Sequence, residues 1–264
     1  MIKLCTLASG SNGNCIYISD GNSNILIDTG ISATRIIREL SMLSVGISAI
    51  DAIFITHEHG DHICGLEKLL ARHNVPVYTS PGTARGIGER VECLYGKINT
   101  FLPGDVVTVG EMEITSFHTP HDTYESVGYR IRAGTNTVAV ATDIGHMEDE
   151  ILEKIMGVDI LLLECNYDKT RIRYSRYPAF LKSRIVGGHG HLSNSECAET
   201  VLRAVQSGTK KIVLGHLSAE NNTPREAYTE VHTHLTNNGI IPGVDVMLTV
   251  APRGERGTLI SVGE

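Results

Sequence analysis

The chain of 264 residues carries a formal net charge of −7, with 41% hydrophobic and 20% charged residues. This composition is typical of a globular protein with a sizeable core, and the negative charge argues against a protein that coats nucleic acid non-specifically. The sequence has no apolar run of the roughly 18 residues that a membrane-spanning helix needs, no signal peptide and no C-x-x-C pair among its six cysteines, so we expect a reduced, cytoplasmic protein.

The spacing of apolar residues predicts strands and helices along most of the chain. In the first half, the predicted strands are 4–7, 15–18, 24–28, 52–55 and 75–79, with helices at 32–43 and near 62–72. The middle predicts strands at 106–109, 112–117, 126–132 and 137–141. The last part predicts helices at 148–156, 193–207 and 224–237 and strands at 159–163, 211–214, 246–250 and 258–262. We therefore expect two packed sheets covered by helices, in a single domain over residues 1–264.

The strongest chemical signal is the pattern H-x-H-x-D-H at residues 57–62, directly after a predicted buried strand. His57 and His59 leave that strand in extended chain, so both rings point to the same side. The glycine that follows permits a sharp turn, which places Asp61 and His62 in the first turn of the next helix. Imidazole nitrogens and carboxylate oxygens are good ligands for divalent metals. Chance would give this pattern in about one such chain in 10³, which disfavours the alternative of a solvated polar loop.

Three further polar residues follow apolar strands at the points where the strands end: His121, Asp143 and His216. A strand holds such a residue rigidly while the adjoining loop exposes it, an arrangement that recurs at active sites. Together with residues 57–62 they supply enough ligands for two ions, and a carboxylate such as Asp143 can bridge both. A water that bridges two divalent ions has a pKa low enough to supply hydroxide at neutral pH.

In order and spacing, these residues resemble the metallo-β-lactamase superfamily. The resemblance implies an α+β fold, a four-layer αββα sandwich, with Zn²⁺ or Mn²⁺ (iron is also compatible) between the sheet edges. It implies that one ion is held by His57, His59 and His121, and the other by Asp61, His62 and His216, with Asp143 bridging. Asp28, which ends the segment I-L-I-D, would orient the ligands from behind.

Shorter motifs resemble the bacterial WalJ/YycJ/VicX-type group, cytoplasmic nucleases proposed to be 5′→3′ DNA exonucleases. These motifs are ASGSNGN at 8–14, PHD at 120–122, TDIG at 142–145, ECNYD at 164–168, GHLSN at 190–194, HLS at 216–218 and NN at 221–222. A bridging aspartate and the lack of a secretion signal also favour the phosphodiesterases of the superfamily over the β-lactamases. The resemblance therefore implies a dinuclear metal-dependent nuclease that acts on DNA. A thioester or lactone hydrolase of the glyoxalase II type and a non-catalytic nucleic-acid-binding protein remain as alternatives.

Two residues are candidates for proton transfer. Asp61 could orient the attacking water or accept its proton, and His191 could contact the scissile phosphate or protonate the leaving group. The alternative for His191 is a turn before a helix N-cap at Ser193 or Asn194. His118 lies only three residues before His121 and is expected to remain in its strand.

The segment 169–184 contains six basic residues, no acidic residue and three aromatic residues. Cations can follow a phosphate backbone and aromatic rings can stack on unpaired bases, which favours nucleic acid as the partner. The alternative is an ordinary solvated loop and helix face. The predicted substrate-binding residues are Ser11, Asn14, Asn166, Arg171, Arg173 and Lys182.

Overall fold

A computed structural model describes residues 1–263, and within them the chain forms two seven-stranded sheets. The strands are β1 (Ile2–Ala8), β2 (Cys15–Ser19), β3 (Asn24–Ile27), β4 (Ala52–Phe54), β5 (Val77–Thr79), β6 (Asn99–Thr100), β7 (Val106–Val109), β8 (Met112–His118), β9 (Val127–Ala133), β10 (Asn136–Ala141), β11 (Ile160–Glu164), β12 (Lys211–Gly215), β13 (Met247–Val250) and β14 (Ile260–Val262). The first sheet has the order β14-β1-β2-β3-β4-β5-β6 and the second the order β13-β12-β11-β10-β9-β8-β7.

Each sheet is antiparallel on one side and parallel on the other. In the first sheet the strands from β3 to β6 are parallel, and in the second sheet those from β10 to β13. The carboxyl ends of parallel strands meet at one edge of a sheet, and ligands bind preferentially in the crevice outside such an edge. Residues that follow β3, β4, β10, β11 and β12 are therefore brought close together.

Helices cover the outer face of both sheets. They are α1 (Ala33–Ser41), α2 (Gly60–Ile63), α3 (Leu66–Leu70), α4 (Pro81–Arg90), α5 (Asp149–Ile155), α6 (Lys169–Tyr174), α7 (Ala179–Val186), α8 (Asn194–Gln206) and α9 (Pro224–Asn237). Apolar side chains of α1, α3 and α4 pack on the first sheet, and those of α5, α8 and α9 pack on the second. No helix in the described residues is long and apolar enough to cross a membrane.

The buried apolar residues form three large clusters, one between each pair of adjacent layers. Side chains alternate between clusters along a strand: in β12, Val213 faces the other sheet while Ile212 and Leu214 face the helices. This alternation follows from the two-residue period of a strand whose two faces are both buried. The predicted four-layer α+β sandwich is confirmed by this arrangement.

The sequence prediction differs from the structure near 62–72 and lacks the helices α4, α6 and α7. The helix expected near 62–72 is two short helices, because the Gly65 amide donates to Thr29 O at 2.8 Å and a Cβ on Gly65 would lie 2.2 Å from Ile31 O. The helix α4 was not predicted, since its three glycines hide the apolar period. The start of α4 has a recognisable sequence signal: the Ser80 side chain accepts a hydrogen bond from the Thr83 amide, and a proline occupies the first turn.

Candidate metal centre

The loops after the parallel strands deliver the side chains of the site, and three of them begin with a left-handed residue. Asp28, Asp143 and His216 have φ angles of 61°, 58° and 53°. A non-glycine residue in this region costs on the order of 1 kcal/mol or more, and such conformations concentrate at functional sites. Gly30 lets the loop after β3 approach the helix that carries Asp61, because a Cβ there would lie 1.6 Å from Asp61 O.

Four of the histidines are held by their Nδ1 atoms, so that their Nε2 atoms point into a common cluster. The four Nδ1 contacts are His57 to Thr56 Oγ1 (3.1 Å), His62 to Asp28 Oδ2 (2.7 Å), His121 to Gly190 O (2.9 Å) and His216 to Glu164 Oε1 (2.9 Å). A hydrogen bond from one ring nitrogen to a carboxylate or a carbonyl is the usual way that metal-binding histidines are oriented. The rings are therefore set in advance for binding through Nε2.

Asp143 lies at the middle of the cluster. Its Oδ1 is 3.5 Å from His121 Nε2 and 3.6 Å from His216 Nε2, and its Oδ2 is 3.3 Å from His62 Nε2. Asp61 faces the same ring nitrogens from the other side, with Oδ2 3.5 Å from His62 Nε2 and 3.7 Å from His216 Nε2. One carboxylate is thus shared between two groups of ligand atoms.

The cluster has the properties of a divalent metal site. Four groups of ligand atoms each lie within 4.8 Å of one another: His57, His59 and His121; His57, His62 and Asp143; Asp61, His62 and His216; and Asp143, Glu164, His191 and His216. Asp143 Oδ2 and His216 Nε2 are buried and have no hydrogen-bond partner among residues 1–263. Burying unpaired polar atoms is unfavourable, and a cation between them would satisfy both. Nitrogen and oxygen ligands of this kind suit zinc, manganese and iron.

About nine-tenths of the chain aligns with proteins named as exodeoxyribonucleases. Residues 23–217 match a family described as Beta-lactamase superfamily domain. Over 243 residues the chain is 34% identical to the exodeoxyribonuclease YycJ of Bacillus anthracis, a match that covers 90% of each protein. The chain belongs to the metallo-β-lactamase superfamily. It is also 34% identical to the exodeoxyribonuclease WalJ of Streptococcus pneumoniae (strain D39), over 92% of this chain and 91% of that protein, which confirms the resemblance to the WalJ/YycJ-type group.

Solved structures of the superfamily share the fold. The metallo-β-lactamase fold protein YhfI from Bacillus subtilis superposes with a TM-score of 0.71 at 19% identity, covering 97% of this chain and 98% of that one. The Zn²⁺-bound PqqB from Methylobacterium extorquens gives a TM-score of 0.69 at 17% identity, covering 98% and 100% of the two chains. At these identities the likeness concerns the fold alone.

Within the cluster of histidines and aspartates, the negative charge of the buried carboxylates is balanced by protonated imidazoles. Burial lowers the pKa of His57 well below its usual value, and the neighbouring histidines add to this effect. For His62 and His216 burial acts in the same direction, but the surrounding carboxylates outweigh it. The pKa of His62 is raised well above its usual value, and that of His216 is raised to about 10. In the metal-free protein, protons on these two rings thus neutralise part of the carboxylate charge.

Zinc binding to the metal-stripped protein is expected to release protons. A metal ligand cannot keep its proton, and His216, with a pKa of about 10, holds one at neutral pH. The affinity for Zn²⁺ should therefore rise as the pH increases from about 7 to about 9. Calorimetric titrations in two buffers of different ionisation enthalpy measure the release. Equal apparent enthalpies in the two buffers would contradict this expectation, and His118→Ala, outside the cluster on the exposed end of β8, should behave as wild type.

Glu164 is a site residue that the sequence analysis missed. It is fully buried at the end of β11, and its Oε1 accepts from His191 Nδ1 at 2.7 Å and from His216 Nδ1 at 2.9 Å. Its Oε2 accepts from the amide of Ile144, next to the central aspartate, at 2.9 Å. One carboxylate therefore holds two of the rings and the loop between them, and the charges on those rings keep the pKa of Glu164 below its usual value despite burial.

His191 and the helix cap that follows it are compatible with each other. Ser193 is the N-cap of α8 and forms a capping box with Glu196, as expected if the segment is a turn before a helix N-cap. His191 nevertheless reaches the cluster, with Nδ1 3.6 Å from Asp143 Oδ1. Its side chain is 17% exposed, so the ring forms part of the open side of the site.

The open side of the site is made by a few half-exposed side chains. Asp61, His59 and His191 are 28%, 21% and 17% exposed, whereas the other cluster side chains are nearly inaccessible. Asp122 lies beside them, with Oδ1 3.4 Å from His121 Nε2, and it binds the guanidinium of Arg184 through two hydrogen bonds. A substrate must therefore enter along this face.

The predicted substrate-binding residues fall into two groups. Asn14 and Asn166 are buried, and their amides lie 3.0 Å from His62 Nε2 and 2.9 Å from His216 O. Both side chains thus lie buried against the histidines, and their predicted contact with substrate stays a prediction. Ser11 is exposed in the loop after β1.

The three basic candidates lie on α6 and α7, without a direct contact to the cluster in the described structure. Arg171 Nε binds Glu226 at 2.6 Å, so that its charge is already compensated. Arg173 is exposed, and Lys182 Nζ donates to Arg173 O at 2.9 Å, which ties the two helices together. The basic segment meets the site through a different residue, Arg184.

Proposed function

We propose that the protein is a metal-dependent phosphodiesterase that binds two divalent ions, Zn²⁺ or Mn²⁺, and cleaves DNA from an end in the cytoplasm. The observation that supports this most strongly is the cluster of inward Nε2 atoms around one buried carboxylate, in a chain that is similar over nine-tenths of its length to two exodeoxyribonucleases. The metal ligands would be those implied by the superfamily: His57, His59 and His121 for one ion, Asp61, His62 and His216 for the other, and Asp143 for both.

The residues of the open side would carry out the proton transfers. When bound, the metal ions supply Lewis-acid activation of water and of the phosphoryl group. Asp61, on the exposed side, can orient the attacking water and accept its proton. His191 has its Nδ1–H fixed by Glu164 at 2.7 Å, so the proton passed to the leaving oxygen would come from Nε2 of the ring in its doubly protonated form, which leaves the neutral ring still bonded to Glu164.

Arg184 is the basic residue placed to hold a phosphate at the site. Its Nε and Nη2 donate to Asp122, which keeps the guanidinium beside the ring of His121 and leaves Nη1 to donate to a phosphate oxygen. The helix α7 that carries it continues into the loop whose Gly190 O binds His121 and whose next residue is His191. Six residues of chain thus separate Arg184 from His191.

Substitution of Arg184 by glutamine is expected to raise the KM for DNA about tenfold while kcat changes less, since a hydrogen bond to a charged group contributes about 1.5–3 kcal/mol. The metal content should remain that of the wild type. Steady-state kinetics and elemental analysis measure both quantities. The matched control is Arg132→Gln, which removes a similar exposed ion pair between Arg132 on β9 and Glu113 on β8. An unchanged KM in Arg184→Gln would contradict this role.

A gel assay tests the proposed function. Purified protein is incubated with Mn²⁺ or Zn²⁺ and with single- and double-stranded DNA and RNA labelled at either end, alongside Asp61→Ala. Metal-dependent shortening of DNA from one end, lost in the variant, is expected. Hydrolysis of a thioester or a lactone, with no cleavage of any nucleic acid, would overturn the proposal in favour of a glyoxalase II-type hydrolase.

A further inference from the structure

The helices α6 and α7 form a small unit with an apolar cluster of its own. Its members are Tyr167, Ile172 and Ile185, with Tyr177 and Leu181 packed against them. None of these residues belongs to the three clusters that join the sheets and their helices. The unit therefore lies between β11 and α8 with a small apolar core that is separate from the three main clusters.

Half of the positive charge on this unit has no counter-charge. Lys169, Arg171 and Arg184 pair with Glu196, Glu226 and Asp122. The other three cations, Arg173, Arg176 and Lys182, have no ion-pair partner within the described chain. Uncompensated cations on one face of an acidic protein mark a surface that attracts a polyanion.

A groove of about 450 Å³ lies beside these cations. It is lined by Arg171, Tyr174, Ser175, Arg176, Tyr177 and Glu220. Tyr174 is 75% exposed although the guanidinium of Arg173 lies over its ring at 5.6 Å, so most of this aromatic surface is free.

The groove adjoins the loop that leaves the metal centre. Glu220 follows the cluster residue His216 by four positions, and the backbone amide of Asp168, the N-cap of α6, donates to Asn221 O at 2.8 Å. A chain of nucleotides that leaves the centre along this loop would meet the groove next.

We propose that this groove binds one unpaired nucleotide of the DNA substrate, with its phosphate on Arg176 and its base on the ring of Tyr174. The carboxylate of Glu220, which also lines the groove, repels phosphate, so the phosphate is expected beside the arginine. Only an unpaired base can offer its face to a side chain, so the groove selects single strands. This inference rests on the proposed function and adds the form of DNA that the protein holds.

The test compares binding of single and double strands by the metal-loaded protein. A fluorescent thymidine oligonucleotide with phosphorothioate linkages resists cleavage and is followed by anisotropy, beside a duplex of the same length. Tyr174→Ala with Arg176→Gln is expected to weaken single-strand binding about tenfold or more and duplex binding less than about twofold, because stacking acts on unpaired bases. Tyr95→Ala with Arg90→Gln removes an equally exposed tyrosine, 72% exposed, and an exposed arginine elsewhere, and should bind as wild type.

Equal weakening for single strands and duplexes, or none, would overturn the inference. Hydrolysis of unmodified DNA by the wild type is measured on the same preparation. If the wild type hydrolyses DNA but the double variant shows no selective loss of single-strand binding, the groove is refuted and the proposed function stands. If the double variant selectively loses single-strand binding but the wild type does not hydrolyse DNA, the groove is supported and the nuclease activity is refuted.

Discussion

Replacement of Asp143 by asparagine is expected to lower kcat for DNA hydrolysis on the order of 10³-fold or more, because it removes the charge shared by both groups of ligand atoms. Its two carboxylate oxygens lie 3.3–3.6 Å from the Nε2 atoms of His62, His121 and His216. Asparagine tolerates the left-handed backbone at this position, where φ is 58°, so the fold should be retained. The loss would thus report the charge and not the backbone.

Elemental analysis and the end-labelled gel assay measure this prediction together. The variant should retain less metal than the wild type and cleave no DNA at matched concentration. Asp159→Asn is the control, because Asp159 also lies at a strand end but its carboxylate binds Thr137, outside the metal centre. Cleavage by Asp143→Asn at a rate near that of the wild type would show that the central carboxylate does not hold the metal.

Substitution of Glu164 by glutamine is expected to weaken metal binding or lower kcat about 10–100-fold, the usual effect of losing a partner that orients metal-binding histidines. Glu164 touches no substrate in this account. It acts through His191 Nδ1 at 2.7 Å and His216 Nδ1 at 2.9 Å, so both the metal and the proton donor lose their orientation.

Glu39→Gln separates this effect from a general loss of stability. Glu39 is also a buried carboxylate, but it lies near Arg35, Arg38 and Arg256, outside the metal centre. Metal affinity, kcat and the denaturant midpoint are measured for both variants. Glu39→Gln should lower the midpoint alone. An equal metal affinity and kcat in Glu164→Gln and in the wild type would contradict the positioning role.

Much of the site could be predicted because it follows from local sequence. The run at 57–62 is contiguous, and Asp143 and His216 end strands whose apolar residues are readable. Glu164 satisfies the same rule, since it ends the strand I-L-L-L-E, but it was not assigned a role. Its signal is weaker because the carboxylate is buried inside the protein, where its contacts come from histidines 27 and 52 residues away.

Contacts between distant segments could not be read from the sequence. The pair of Arg184 and Asp122 spans 62 positions, and it decides which cation of the basic segment reaches the metal centre. Likewise, the polar patterns around Asn14 and Asn166 suggested exposed donors, whereas the fold buries both against histidines. Short polar side chains fit either role, and only the tertiary structure distinguishes them.

The measurement that tests the central claim most directly is a titration of metal-stripped protein with Mn²⁺ while the release of nucleotides from end-labelled DNA is followed. We expect no release without metal, and full activity only when close to two equivalents are bound, as counted by elemental analysis of the same samples. DNA cleavage by the metal-free protein, or full activity with a single ion bound, would contradict a two-ion phosphodiesterase.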